Sequence, residues 1–380
     1  NMALNTLPNE GLTSRGYPSD RLVTPIIING DMSVAQRTTS TSSVSSGTTF
    51  IVDRFFVAPS SAGTWTMSQS TTTPTGQGFG NSFKMDCTSA TASLGAAANL
   101  IFQQRIEGQN LQLLKKGTSS AEAVTFSFWV RSNKTGTYTL EMYDNDNTRQ
   151  ISKTYTISSA DTWEKKTVNF AGDTTGAFDN DNASSLTILF WLGAGSNFTS
   201  GTFSESWSSA TNANRVNSSQ VNLADSTSNE WYITGIQMEV GEFDSTSIPS
   251  FPFESHESNL SKCQRYFETF PSNSGDGVIG FGYGSGSDTA RTMFPFKVTK
   301  RATPTMSDSL STSRQYRINF MNGSGTATNQ NSTSTPGFGT VSTLNSGYMN
   351  LAGFSSIGGG LFGFLIYNNS TTLLSADAEL

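Results

Sequence analysis

One histidine, His256, and two cysteines, Cys87 and Cys263, bound the acid–base and metal chemistry open to this chain of 380 residues. A Ser or Cys nucleophile activated by an imidazole would have to use His256. That residue stands in "SIPSFPFESHE" with Glu254 and Glu257 close by, and no Gly-x-Ser-x-Gly elbow accompanies it. A zinc site needs three or four clustered His, Cys or carboxylate ligands. One histidine and two cysteines far apart in the sequence do not supply them. A solvated loop histidine and two separate structural thiols are expected instead.

Oxygen-rich loops offer a different chemistry. "YDNDN" carries Asp144 and Asp146, and "FDNDN" carries Asp179 and Asp181. Loops of this kind suit Ca²⁺. Neither is an EF-hand, because the twelfth position holds Tyr155 in one frame and Phe190 in the other, where a bidentate Glu is required. Hairpin turns rich in Asp and Asn explain both loops without a metal. A structural Ca²⁺ therefore stays open, and no other cofactor is expected. Glycoside hydrolysis is defined by the separation of two carboxylates in space, which a list of 29 acidic residues does not reveal. No long internal repeat points to a β-helix.

Sugar recognition needs flat aromatic faces for the C–H side of a ring and amide or carboxylate groups for its hydroxyls. Trp207, in "TFSESWSSATNAN", lies in a polar stretch near Glu205 and Asn212, and Tyr143 ends a strand pattern beside Asp144. These four are the glycan-binding candidates. The plainer alternative is a Trp207 packed over the base of its loop. Trp129, Trp163, Trp191 and Trp231 fall within strand patterns and read as core or sheet-face residues.

The elements that must position these groups are strands. Charged residues make up 14% of the chain, against roughly 25% in a typical soluble domain. Polarity comes from Ser, Thr, Asn and Gly, which compete with a helix backbone and favour strands and turns. The net charge of −6 offers no basic surface for nucleic acid. No run approaches the ~18 consecutive apolar residues of a membrane span, so membrane insertion is not expected. "NMALNTLPNEGLTSRG" lacks a basic-then-apolar leader pattern, and release by lysis is the expected exit.

Residues 1–24 are dense in turn formers and read either as a flexible terminus or as an arm that orders on a partner, with Leu4, Leu7 and Leu12 to bury. From Pro25 the pattern turns to strands. Ile26 to Ile28 reads as one, followed by an Asn29-Gly30-Asp31 turn, and "TTFIVDRFFV" as the next. In "VTFSFWV", Val124, Phe126, Phe128 and Val130 point one way; in "GTYTLEMYD", Tyr138, Leu140 and Met142 do the same. "SLTILFWL" is apolar on both parities and reads as a strand covered on both faces. "ANLIFQQRIEGQNLQLL" suits a strand or a helical turn. Strands at this spacing suggest an all-β, jelly-roll sandwich over 25–255. "NLSKCQRYFETF" then carries Leu260, Cys263 and Tyr266 or Phe267 at helical spacing, with Ser258 or Asn259 as N-cap and Pro271 as stop. It reads as a short connector helix within 256–275. Residues 276–380 form a small, glycine-rich C-terminal β-domain with a thin core, of a kind often stabilised by self-association.

Several blocks carry a resemblance: "IIINGDMSVAQRTTS" (Ile26 to Ser40), "VDRFF" (Val52 to Phe56), the run from Gln104 to Ile157, "ITGIQMEVG" (Ile233 to Gly241), "FPFES" (Phe251 to Ser255) and "SKCQRYFE" (Ser261 to Glu268). In this order they resemble phage tail-fibre and virion-surface fibre proteins of marine and freshwater phages, with a jelly roll like a carbohydrate-binding module. The resemblance implies a homotrimeric fibre or spike that touches host cell-surface glycans. The expected protein is then a non-enzymatic virion fibre, with residues 1–24 as the arm that joins another virion protein. A capsid decoration or head-fibre protein is the alternative, and a polysaccharide depolymerase a further one.

Overall fold

The computed structural model of the chain describes residues 25–271, 278–308, 316–321, 327–332, 337–338, 342–354, 362–367 and 373–380. The expected attachment arm, with Leu4, Leu7 and Leu12, lies outside the described residues. The chain divides into two compact units, Asn1–Ser255 and His256–Leu380. Among the described residues no helix is long and apolar enough to cross a membrane.

In the first unit the strands are β1 (Ser40–Val44), β2 (Thr49–Phe50), β3 (Phe55–Val57), β4 (Thr64–Ser70), β5 (Ser82–Ser89), β6 (Asn99–Glu107) and β7 (Val124–Ser132). They continue with β8 (Gly136–Asp144), β9 (Arg149–Ile157), β10 (Glu164–Phe170), β11 (Ser184–Ala194), β12 (Ser208–Ser209) and β13 (Glu230–Val240); a one-turn helix, α1 (Ser196–Thr199), follows β11. Two antiparallel sheets result, ordered β1-β4-β5-β13-β7-β10 and β12-β9-β8-β11-β6-β3-β2. They pack face to face as a jelly-roll sandwich. The inward parities read from the sequence fill the shared core: Val124, Phe126, Phe128 and Val130 from β7 meet Tyr138, Leu140 and Met142 from β8. Phe102 stacks on Phe55 at 4.8 Å and on Phe83 at 4.7 Å. Strand β11 is covered on both sides, with Phe190 in this core and Trp191 in a second cluster on the outer face.

Two expected strands break. Ile26 to Ile28 is a run of bends rather than a strand. Its backbone is satisfied by one side chain: Ile28 N–H donates to Gln104 Oε1 (3.2 Å), and Gln104 Nε2 donates to Ile28 O (2.9 Å). The turn that follows needs its glycine, because a Cβ on Gly30 would sit 2.0 Å from the Ile236 carbonyl oxygen. "TTFIVDRFFV" splits into β2 and β3, with Arg54 between them in the left-handed region (φ 72°). The ambiguous "ANLIFQQRIEGQNLQLL" resolves into β6 followed by two 3-10 turns, Gly108–Asn110 and Gln112–Leu114.

The second unit starts with a helix, α2 (His256–Gln264), and continues through β14 (Phe267–Pro271), β15 (Val278–Gly284), β16 (Thr289–Pro295) and β17 (Thr305–Asp308). Strands β18 (Tyr316–Met321), β19 (Ala327–Asn331), β20 (Gly337–Phe338), β21 (Ser346–Ala352), β22 (Phe362–Tyr367) and β23 (Leu373–Asp377) complete it. The sheets are β14-β23-β17 and β19-β18-β22-β15-β16-β21-β20. The connector expected over 256–275 is thus helix over His256–Gln264 and strand over Phe267–Pro271, and its last residues, 272–275, lie outside the described residues. The helix begins at His256, ahead of both expected caps, and buries Asn259 and Cys263 while Leu260 is half-buried. From Phe267 the chain pairs with β23, from Phe267↔Asp377 to Pro271↔Leu373. Strand pairing wins there because it seats Phe267 and Phe270 while presenting Glu268 to a buried cation. Cys87 and Cys263 are both buried, and no disulfide joins them.

That cation is Lys300. Its Nζ lies 2.5 Å from Glu268 Oε2 and 2.5 Å from the Gln264 carbonyl oxygen, and neither ionic side chain is exposed. Burial pulls the Lys300 ammonium below the usual lysine range, against the Glu268 carboxylate that holds it up. Replacing one partner strands the other without a counter-charge. Lys300→Met is expected to cost about 3–5 kcal/mol in a urea melt, and Lys300→Met with Glu268→Leu to recover most of it. A single variant as stable as the parent would show that the pair is dispensable.

Candidate functional site

Lys116 is placed by backbone geometry. Lys115 and Gly117 both have positive φ (49° and 81°), and a Cβ on Gly117 would lie 2.6 Å from the Ala177 nitrogen. The 115–117 turn is therefore pressed against residues 173–178, and Lys116 points into the end of the sandwich with its side chain 4% exposed. Its Nζ reaches Asp144 Oδ2 at 2.5 Å and Asp173 Oδ2 at 3.1 Å, and donates to the carbonyls of Thr175 and Gly176. Arg149 closes the group with two bonds to Asp173, at 2.6 and 3.0 Å. Two cations face two carboxylates, so the cluster is neutral. Burial works to raise the Asp173 carboxyl, but the bonds from Arg149, the Thr175 N–H and Lys116 overcome it and hold it below the usual carboxylate range.

Trp207 covers this cluster. Its Nε1 donates to the Ala171 carbonyl at 2.8 Å, its ring lies 5.3 Å from Lys116 Nζ, and it packs half-buried against the main core. The cleft it lines with Leu114, Phe178 and Asp173 holds only about 20 Å³, room for about one water. A sugar ring does not enter there.

Tyr143 lies on the outer face of the seven-stranded sheet, under the excursion that spans 196–220. The Arg215 guanidinium sits 5.0 Å from the Tyr143 ring and 5.2 Å from that of Trp191. Arg215 Nε donates to Glu141 Oε1 (2.8 Å) and Trp191 Nε1 to Glu141 Oε2 (2.7 Å). Burial raises the Glu141 carboxyl above its ordinary range in spite of both donors. Glu205 and Asn212 are exposed on the same excursion, whose two limbs are joined by Ser204 N–H donating to Asn214 O. The four glycan candidates thus do not make one face. Trp207 closes the sandwich end, Tyr143 lies beneath Arg215, and Glu205 and Asn212 stand outside on the covering loop.

The four acidic candidates do not converge as calcium ligands would. Asp144 turns inward to Lys116 and accepts the N–H groups of Asp146 and Asn147. Asp146 accepts from Asp179 N–H, and Asp181 from Ala183 N–H. Among the described residues no three His, Cys, Asp or Glu side chains gather at metal-binding distance. The inward place of Asp144 was readable: it continues the parity of Tyr138, Leu140 and Met142, and a carboxylate on that face requires a buried partner.

A site the residue types did not single out lies on the outer face of the six-stranded sheet. Trp129 and Arg131 alternate with the inward residues of β7, and Tyr232 faces Arg131 across the β13–β7 pair. Trp163 meets the Tyr232 ring edge-on at 6.1 Å, and the Arg131 guanidinium lies 5.0 Å from the same ring. Trp129 and Trp163 are partly exposed, and Trp163 Nε1, itself buried, has no acceptor among the described residues. Around the rings the polar groups are fixed. Lys84 Nζ pairs with Glu230 Oε1 at 2.6 Å, Tyr232 Oη donates to Glu230 Oε2 at 2.8 Å, and Arg131 Nη2 pairs with Asp161 at 3.1 Å. Burial opposes the charge on Lys84, yet its bonds to Glu230 and Tyr232 keep the ammonium above its ordinary range. The lower part of this face is closed by the chain that returns after β13: Phe243 N–H and Gly241 O bond Thr125, and Gln237 reaches the Pro249 carbonyl. Parity was again the available signal, since an inward Val130 forces Trp129 and Arg131 outward.

Two outcomes follow from the buried charges. Asp173→Asn is expected to cost about 3 kcal/mol at neutral pH, because Lys116 and Arg149 then share one carboxylate. A depressed carboxyl stabilises the fold above its unfolded value of about 3.9, and that contribution is lost as the pH falls through the lower folded value. The gap between variant and parent in urea melts should therefore shrink below about pH 4; a gap independent of pH would contradict this account. Trp207→Ala should cost about 2 kcal/mol through lost packing, read as a fall in melting temperature, and an unchanged melt would make Trp207 a free surface ring.

No family model and no curated protein matches this chain. Among solved structures it is similar to the enzymatically active domain of bacteriophage CBA120 tailspike protein 4, at 13% identity over 57% of this chain, with a TM-score of 0.32. This chain spans 21% of that tailspike's length. It is also similar to a putative sugar binding protein from Bacteroides thetaiotaomicron (11% identity, 57% of this chain and 100% of that one, TM-score 0.33). A family 11 carbohydrate-binding module from a cellulosomal cellulase of Clostridium thermocellum shows 10% identity over 53% of this chain and 98% of the module, with a TM-score of 0.26. Likeness at this level says nothing about what this chain binds.

Proposed function

We propose that this protein is a structural, non-enzymatic component of a phage virion that binds host cell-surface glycans on the open face of its six-stranded sheet. The observation that carries the binding is the partly exposed pair Trp129 and Trp163 on the outer face of this sheet, with Trp163 seated on the buried Tyr232 ring and framed by the Lys84–Glu230 and Arg131–Asp161 pairs. Partly exposed indole faces suit the C–H side of a pyranose, and positioned charges suit its hydroxyls. The ion pairs themselves are partly exposed and worth about 0–1 kcal/mol each, so their use is to hold donors and acceptors in place. The virion assignment rests on the blocks that resemble tail-fibre proteins. On that reading residues 1–24 attach to another virion protein, and three copies multiply a weak affinity per site through effective concentration.

Affinity electrophoresis through gels that contain purified bacterial lipopolysaccharide or capsular polysaccharide tests the binding. The parent should be retarded by at least one of them. Trp129→Ala and Trp163→Ala should each weaken retention about tenfold, the loss expected for one aromatic contact, with little change in melting temperature. Parent protein that runs freely in every gel sinks the glycan reading, and oligosaccharides released during the incubation sink the non-enzymatic part.

A further inference from the structure

The second unit has strands built inside out. In β15, Phe281 and Tyr283 point to solvent, 60% and 37% exposed, while Gly280 and Gly282 point inward. The glycines are required there. A Cβ on Gly280 would lie 2.4 Å from the Met293 carbonyl oxygen, and one on Gly282 would lie 2.8 Å from Thr292 Cγ2. Strand β22 repeats the arrangement: Phe362 and Phe364 face out at 78% and 48%, and a Cβ on Gly363 between them would lie 2.4 Å from the Asn319 carbonyl oxygen. On β16, Met293 faces out at 57% while Phe294 is fully buried. The register joins these side chains into one surface. Phe281 stands opposite Met293 on one side and Phe364 on the other, and Tyr283 stands opposite Phe362. The ring centroids are 5.9 Å apart for Phe281–Phe364 and 6.2 Å for Tyr283–Phe362.

A folded monomer gains nothing from this arrangement. The unit's own core uses the opposite face, with Phe294, Ile318, Met349 and Leu365. We infer that the outward face of the β22-β15-β16 strands, built on Phe281, Tyr283, Met293, Phe362 and Phe364, is the contact through which copies of this chain associate. With ~200 Å² per aromatic side chain, the exposed fractions of these residues and Val278 amount to roughly 600 Å² of apolar surface, at the upper limit for a monomer's largest patch. Two such faces with a polar rim reach the ~1,200 Å² at which specific interfaces begin. The outward side chains described on these three strands include one charge, Arg291, and no carboxylate or amide. An ionic partner finds little to pair with, a sugar finds a single phenol, that of Tyr283, and no carboxylate or amide among the rings, and a second identical face meets no like-charge barrier beyond that one arginine. This inference deepens the assembly part of the reading above and does not depend on glycan binding.

Sedimentation equilibrium of the full chain tests it. The parent should sediment at a multiple of 40.7 kDa. Phe281→Ser with Phe364→Ser should weaken association by roughly 30-fold or more, as loss of central aromatic anchors does. Phe362→Cys, at the most exposed of these positions, keeps the test decisive if the double variant fails to fold. A short bis-maleimide should link its copies, and should not link those of Ser119→Cys on a first-unit loop. A parent that stays at 40.7 kDa, an oligomer indifferent to Phe362→Gln, or no link at position 362 would overturn the assignment. Trp129→Ala and Trp163→Ala should leave the mass unchanged, so failure of the glycan reading and failure of this one are read separately.

Discussion

Every strand has two faces, and only one of them reaches its own core. That constraint organises the molecule, because each outer face must be covered, left to water, or given to another molecule. The structure uses all three solutions. The seven-stranded sheet of the first unit is covered by residues 196–220, which bring Val216 and Phe198 onto Trp191 and Arg215 between Trp191 and Tyr143. The six-stranded sheet is covered at one end by the chain returning after β13 and leaves Trp129 and Trp163 partly exposed beside the buried Tyr232. In the second unit an entire aromatic face is left outside.

A chain with few charges nevertheless buries several. Lys116 with Asp144 and Asp173, and Lys300 with Glu268, are withdrawn from water and paired, and the buried Glu141 is paired with a half-buried Arg215. Such pairs add little net stability over apolar residues of equal size. What they impose is position, since a misplaced loop leaves a charge in the interior without a partner. Lys116 ties the 115–117 turn to β8 and to the 173–176 loop, and Arg215 ties the covering excursion to the sheet beneath it. Lys300 joins the end of α2 to β14. The irregular segments are held by charge where they lack a ladder of backbone hydrogen bonds.

Residue type was a weaker guide to the candidate site than parity. Trp207 sits in a polar stretch, which suggested an exposed ring, yet Ala171 and Lys116 draw it against the core. Tyr143 has the outward parity that a binding face requires, and a loop more than fifty residues later in the sequence then covers it. Trp129 and Trp163, within ordinary strand patterns, stand partly exposed on the outer face of the six-stranded sheet. A strand residue's direction is a local property, whereas its exposure depends on what the rest of the chain lays over it.

The amino-acid sequence by itself determined the β class, the inward residues of β7 and β8, the double coverage of β11, and the low charge density that makes each buried ion consequential. These follow from backbone alternation and composition, which act over a few residues. Tertiary structure alone decided that Ile26 to Ile28 is no strand, because Gln104 takes its hydrogen bonds from a distant part of the chain. It decided that "NLSKCQRYFETF" changes from helix to strand at Phe267, because β23 offers a ladder there. It also decided which outer faces stay open. Those outcomes depend on pairings between residues far apart in the sequence, whose geometry no local periodicity encodes.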